Sequence, residues 1–210
     1  MAYSIVQGGT TLYLVDDSGT AAALTLPSGV TLHATRKPRF TTFERLAVVV
    51  NSPSRPITVD PEGNVRVLTP RPPSTTPTLS AQSGGSLTGT YQVKQTFRIL
   101  DSLGNLISES GYGPLSATQA VTSQYLRASD LGISVDDITL SMIYRNTTLG
   151  SAFYPWVELN GNTQTSIQDD LADATLDNLT ADDALGSAPD LTNVAEWRGR
   201  LFGVDRIDLY

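Results

Sequence analysis

Cysteine is absent from the 210 residues. That excludes a disulfide scaffold, a thiolate nucleophile and any zinc or iron–sulfur site built on thiolates. Histidine occurs once, as His33, within "GVTLHATRKP". Nucleophilic catalysis needs a base beside the nucleophile, and a single His in a strand flanking a turn reads as a structural or solvent-facing residue. Charge is sparse, at 17% of residues. Long apolar runs are missing too: no window approaches 18 continuous apolar residues, so no membrane-spanning helix is expected. The start, "MAYSIVQGG", has neither the basic region nor the apolar stretch of a signal peptide. A protein acting outside the cell would then be expected to leave by another route.

In place of charge the chain carries Thr, Ser, 17 Gly and 12 Pro, a composition suited to short strands joined by tight turns. The net charge of −7 is unevenly spread. Residues 1–75 hold seven Lys/Arg against five Asp/Glu, residues 76–165 four against six, and residues 166–210 three against ten. An acidic chain lacks the basic face that general nucleic-acid binding requires. The short cluster Arg36-Lys37-Pro38-Arg39 reads as a solvated loop.

Three segments follow from the patterning. Residues 1–70 read as hairpins, with "TTLYLVDDSGTAAALTLPSG" turning at Asp17-Ser18-Gly19. A later hairpin turns at Asp60-Pro61-Glu62-Gly63, which has Pro and Gly where a type I turn places them. Residues 71–77 lie in the Pro-rich stretch "PRPPSTTP", which reads as a stiff linker. Residues 78–170 read as a β-sandwich of about seven strands. In its best strand Tyr91, Val93, Phe97 and Ile99 alternate with Gln92, Lys94, Thr96 and Arg98. Leu140 and Met142 are expected to pack with the apolar set. The Ser/Gly/Tyr-rich piece Ser108–Ser116 reads as a sandwich strand and irregular edge. Residues 171–190 read as a turn-rich acidic connector, and residues 191–210 as a strand returning to the first lobe. The expected fold is all-β: a fibronectin/immunoglobulin-like sandwich inserted in, or attached to, a propeller-like β lobe. Tyr210 falls within an apolar strand, which suggests that this strand pairs with a neighbour or that more protein follows.

Three stretches in succession, "LTGTYQVKQTFRILDSLGNLISESGYGPLS", "YRNTTLGSAFYPWVELNGNTQTSIQDDLADATLDNL" and "WRGRLFGVDRIDLY", resemble bacteriophage tail and virion structural proteins that carry a fibronectin type III-like domain beside a β-propeller. The likeness rests on Ser108–Ser116, on Ile143-Tyr144-Arg145-Asn146, on Thr165–Asp169 and on Arg200-Leu201-Phe202. It covers about residues 87–210 by motif and residues 1–70 by style. It implies a non-enzymatic structural subunit of the tail, of nozzle, hub or tail-tip ring type, contributing to virion assembly and the DNA-exit channel. The implied partners are other copies of the chain, in a six-fold ring rather than a three-fold one, and neighbouring tail proteins. DNA would pass transiently without sequence-specific binding, and the location would be the virion tail, assembled in the host cytoplasm. Strands outside the sandwich are too few for a closed propeller of four four-stranded blades, so identical subunits are expected to complete the lobe. The alternative is a receptor- or carbohydrate-binding module of a tail fibre or bacterial surface protein, with a host-surface glycan as partner. A depolymerase ranks third, since no coil-length repeat is visible.

Catalytic, cofactor and metal residues are each expected to be none. The carboxylate pairs Asp16-Asp17, Asp136-Asp137, Asp169-Asp170 and Asp182-Asp183 read as strand ends and solvated loops, although a glycosidase would use facing acids. The seven Asp between 169 and 190 have the oxygen chemistry of a Ca²⁺ site but not the spacing of an EF-hand. "SGGSLTG" at 83–89 has no following Lys or helix and is a weak phosphate cradle. Trp156 with Tyr154, and Tyr112 with Tyr125, read as core or interface residues before sugar-stacking platforms.

Overall fold

A computed structural model describes residues 4–43, 45–51, 55–101, 103–148, 150–176, 191–197 and 200–205. Regular structure among them is β, apart from one 3-10 turn at Asp173–Thr175. All strand pairs are antiparallel and no sheet closes into a barrel. The chain divides into two compact units, residues 1–69 with 188–210, and residues 70–187.

The described residues of the first unit form three small sheets. Strands β1 (Ser4–Gly8), β2 (Thr11–Val15) and β3 (Ala21–Ala23) form one, in sequence order. Strands β4 (Arg39–Phe43), β5 (Leu46–Val50), β6 (Ile57–Val59) and β7 (Val65–Val67) form a second. This up-and-down meander of four strands is the organisation of a propeller blade. Its centre is the Val48-Val49-Val50 run of β5, buried on both faces along with Ile57 and Val59 of β6. The third sheet is a hairpin of the last two described strands, Leu191–Trp197 and Arg200–Asp205. A two-stranded ribbon is marginal in water by itself. Here it is anchored by Val194, which packs with Val48 and Val50, with Leu201 alongside.

The second unit is a two-sheet sandwich. Strands β8 (Thr78–Tyr91), β11 (Gln119–Ser129) and β14 (Ile167–Asp169) form one sheet in the order β14-β11-β8. Strands β9 (Val93–Leu100), β10 (Leu106–Glu109), β12 (Leu140–Asn146) and β13 (Phe153–Asn160) form the other in the order β10-β9-β12-β13. The last two described strands are accordingly β15 and β16. Two hairpins joined through their inner strands face a sheet in which β8 pairs with β11, a two-sheet antiparallel sandwich. Leu87 and Tyr91 of β8, Val121 and Leu126 of β11, Val93 of β9, Ile143 of β12 and Trp156 of β13 fill one core between the sheets.

The structure places the expected core residues differently from a single alternation. Tyr91, Val93, Phe97, Ile99, Leu140 and Met142 are all buried, but Leu140 and Met142 lie in a second cluster with Tyr144. Both faces of β12 are covered, one by the opposite sheet and the other by Leu100, Tyr112 and Phe153 packed against it. Ile143 faces the main core, and Leu140, Met142 and Tyr144 face the other way. Residues 70–77 belong to this unit and are tied to it. Pro73 and Pro77 are buried, and the Arg71 N–H donates to Asp136 at 2.7 Å.

Strand β8 was not legible as a strand because its middle is Ser83-Gly84-Gly85-Ser86. Its pairing with β11 is interrupted between Val121 and Gln124, where Gly84 has φ 96° and Ser123 φ 51°. Gly85 is required by proximity, since a Cβ there would collide with the backbone of Gln124 and Tyr125. The glycines of "SGGSLTG" therefore let two backbones approach across an irregular ladder.

Candidate functional site: polar clusters of the sandwich

The stretch after β10 shows how Ser and Gly build an edge. The N–H groups of Ser110, Gly113 and Ser116 donate to the carbonyls of Phe97, Gln95 and Val93, so residues 110–116 continue alongside β9. In return Ser110 Oγ accepts the Phe97 N–H and Ser116 Oγ accepts the Val93 N–H, both at 2.9 Å. Each hydroxyl then donates to the carbonyl of the next residue. Both serines are buried, and their hydroxyls take the place of main-chain acceptors at a bulged edge.

On the outer face of the same sheet, Glu109 collects three neighbours. Its Oε1 accepts from Thr96 Oγ1 at 2.5 Å and from the Tyr144 hydroxyl at 2.6 Å, and lies 3.1 Å from Arg98 Nε. Arg98 also donates to the Tyr144 oxygen at 2.8 Å and approaches the more exposed Glu158 at 3.5 Å. Burial, reinforced by the hydrogen bond to Glu109, pushes the Tyr144 phenol well above its usual value. Burial works against the Arg98 charge, but Glu109 outweighs it and the guanidinium is held above its ordinary value. Tyr144 thus stays a protonated donor. Beside this network Lys94 Nζ lies 4.7 Å from the Tyr112 ring centre and 4.4 Å from that of Phe153. Tyr112 meets Tyr144 edge to face at 5.2 Å. The arrangement stiffens a sheet face through mutually engaged groups, with the acid already accepting from two hydroxyls and beside a guanidinium.

The inner face carries Arg145, 0% exposed. Its guanidinium carbon lies 4.5 Å from the Tyr91 ring centre and 5.7 Å from that of Trp156. Nη2 donates to the Leu171 carbonyl at 2.8 Å and Nη1 lies 3.0 Å from Asp173 Oδ1. In the sequence Arg145 stands out only as part of a strand motif. Its position opposite Val93 in the ladder and on the side of Ile143 is the signal that it points inward.

The other sequence candidates are dispersed. His33 Nδ1 accepts the N–H groups of Thr35 and Arg36, both at 3.2 Å, and the His33 N–H donates to Asn51 Oδ1. Buried Asn51 donates to Gln7 and to the Arg36 carbonyl, so His33 sits in a structural hub of the first unit. Asp16 accepts the N–H groups of Ser18 and Thr20 and the Ser18 hydroxyl. Asp136 is buried and holds Arg71. Asp170 accepts from Ser86, and Asp169 from the Asp170 N–H. Asp182-Asp183 and most of the acidic run to 190 lie outside the described residues. Among the described residues no three His, Asp or Glu are grouped to hold a metal ion. Trp156 is buried in the core with Tyr154 packed against the same cluster, whereas Tyr112 and Tyr125 belong to different sheets of the sandwich. No helix among the described residues is long and apolar enough to cross a membrane.

No protein-family model, curated protein or solved structure matches the chain.

Proposed function

We propose that the chain is a non-enzymatic structural subunit of a bacteriophage tail, of nozzle, hub or tail-tip ring type, contributing to virion assembly and to the channel through which DNA leaves. The observation that carries this reading is the interruption of one β unit by another. Residues 1–69 and 188–210 make up the first unit, and the sandwich of residues 70–187 stands between them in the chain. That is the arrangement implied by the resemblance to tail proteins with a fibronectin-type domain beside a propeller.

Two further features support it. Polar side chains of the sandwich are engaged in networks that stiffen sheets and edges, as in the Glu109 and Ser110/Ser116 systems. The net charge of −7 suits a conduit wall, since a surface that does not hold phosphates lets a duplex slide. Function in this reading lies in repeated association, with other copies of the chain and with neighbouring tail proteins as partners. Quantitative mass spectrometry of purified particles tests it: the chain should be present at a fixed multiple of copies per tail. Its absence from particles that carry complete tails would refute the reading.

A further inference from the structure

Residues 170–176, Asp-Leu-Ala-Asp-Ala-Thr-Leu, follow β14 without pairing in either sheet of the sandwich. They are attached instead through side chains. Asp170 Oδ2 accepts the N–H and the hydroxyl of Ser86, both at 3.1 Å. Asp173 Oδ2 accepts the Thr148 N–H at 2.9 Å, and its Oδ1 faces Arg145 Nη1 at 3.0 Å. The Leu171 carbonyl takes the second Arg145 donor. Leu176 is the one residue of the segment that is buried in the main core, with Leu171 packed against it in part.

Beneath this segment lies a charge that the two sheets do not neutralise. A buried guanidinium requires a partner, and the carboxylate nearest Arg145 comes from Asp173. The match is incomplete. Arg145 Nε and Trp156 Nε1 are buried without a hydrogen-bond partner, and Arg145 Nη1 and Asp173 Oδ1 are close without being aligned for one. Tyr91 and Trp156 flank the guanidinium, whose planar fork is the chemistry that pairs with a carboxylate.

The geometry points to residues 170–176 being a releasable strap, with Asp173 as the carboxylate that faces Arg145. Apolar anchorage confined to Leu171 and Leu176, a single short 3-10 turn and attachment without a strand ladder are the marks of a segment that opens below the global unfolding threshold. Opening removes the Asp173 carboxylate and the Leu171 carbonyl from Arg145, while the ladders of β9 and β12 stay paired. The strap thus keeps a carboxylate-pairing guanidinium engaged from within. This holds whether or not the chain is a tail component.

Hydrogen exchange read by mass spectrometry on the full chain tests the strap. In the unaltered protein, residues 170–176 and the amide of Thr148 should exchange at least tenfold faster than the ladders of β9 and β12. Asp173→Asn should speed the strap and Thr148 by a further tenfold or more and leave β9 and β12 unchanged. Arg145→Met, an apolar replacement of similar length, should also free the strap while β12 stays protected. Exchange of the strap at the rate of β9 and β12 in the unaltered protein would overturn the inference. So would equal acceleration of every element in Asp173→Asn, or a strap as protected in Arg145→Met as before.

Discussion

The side-chain amide of Gln95 and the backbone of Gly132 exchange two hydrogen bonds, Nε2 to the Gly132 carbonyl at 2.8 Å and the Gly132 N–H to Oε1 at 2.7 Å. Gln95 thereby acts as one more strand residue, pinning the loop between β11 and β12 to the middle of β9. Both groups are buried, so neither can fall back on water. Replacing Gln95 with Leu abandons both Gly132 groups and should cost about 2 kcal/mol or more, at ~1–3 kcal/mol for each group left unsatisfied. Urea unfolding followed by Trp fluorescence checks this. A midpoint unchanged from the unaltered protein would contradict the pairing.

Phe97 is buried on β9 and faces away from the Glu109 network. Phe97→Ala should destabilise the sandwich by ~3–5 kcal/mol through lost transfer energy and the cavity left behind. A loss below ~1 kcal/mol in the same measurement would remove Phe97 from the core.

Gly85 has no room for a methyl group against the Gln124–Tyr125 backbone. Gly85→Ala should cost at least ~1–3 kcal/mol, because backbone rather than a side-chain tip must move. Gly104 tests the contrast: a Cβ there meets nothing within 4 Å, but its φ of 85° disfavours any side chain, so its cost should come from strain alone. Circular dichroism melts of the two variants would show Gly85→Ala as the more damaging.

Asp101 closes the β9–β10 hairpin, accepting the N–H groups of Leu103 and Asn105 and the Asn105 side-chain amide. The Asn105 side chain, followed by its backbone N–H, holds this carboxyl below its ordinary value, and Ser18 followed by Thr20 does the same for Asp16. A carboxylate lowered on folding contributes stability that is complete above its unfolded-chain value and is lost as pH falls through the lower folded one. The urea midpoint should therefore fall on acidification from neutral pH. Asp101→Ala should lower the midpoint at neutral pH and converge with the unaltered protein in acid. A variant whose deficit grows in acid would contradict the assignment.

The hairpins that were easiest to read are those whose chemistry is local. Asp16–Thr20, Asp60–Asn64 and Asp101–Asn105 share an Asp, a Gly at the fourth position and a Thr or Asn at the fifth. In each, the Gly N–H bonds back to the Asp carbonyl and the Gly φ is positive. The strand at 93–100 was legible because its period of two needs no distant partner, although its outer-face Thr96 is buried as well. Leu140 and Met142 show where periodicity stops: a strand buried on both faces has no wet side to mark the inward one. Strand β8 escaped because Gly and Ser lower strand propensity, while the reason for them lies some forty residues away in Gln124 and Tyr125. Arg145 was illegible as a buried group because the residues that stabilise it, Leu171 and Asp173, come from a different part of the chain.

Electron cryo-microscopy of a phage tail proposed to contain this chain tests the central claim most directly. The account predicts a closed ring of identical copies, with density for both β units in every subunit. It expects the unit formed by residues 1–69 and 188–210 to make the contacts between copies. A tail reconstructed to side-chain resolution with no subunit that fits this sequence, together with a recombinant protein that stays monomeric in mass photometry at every concentration, would contradict it.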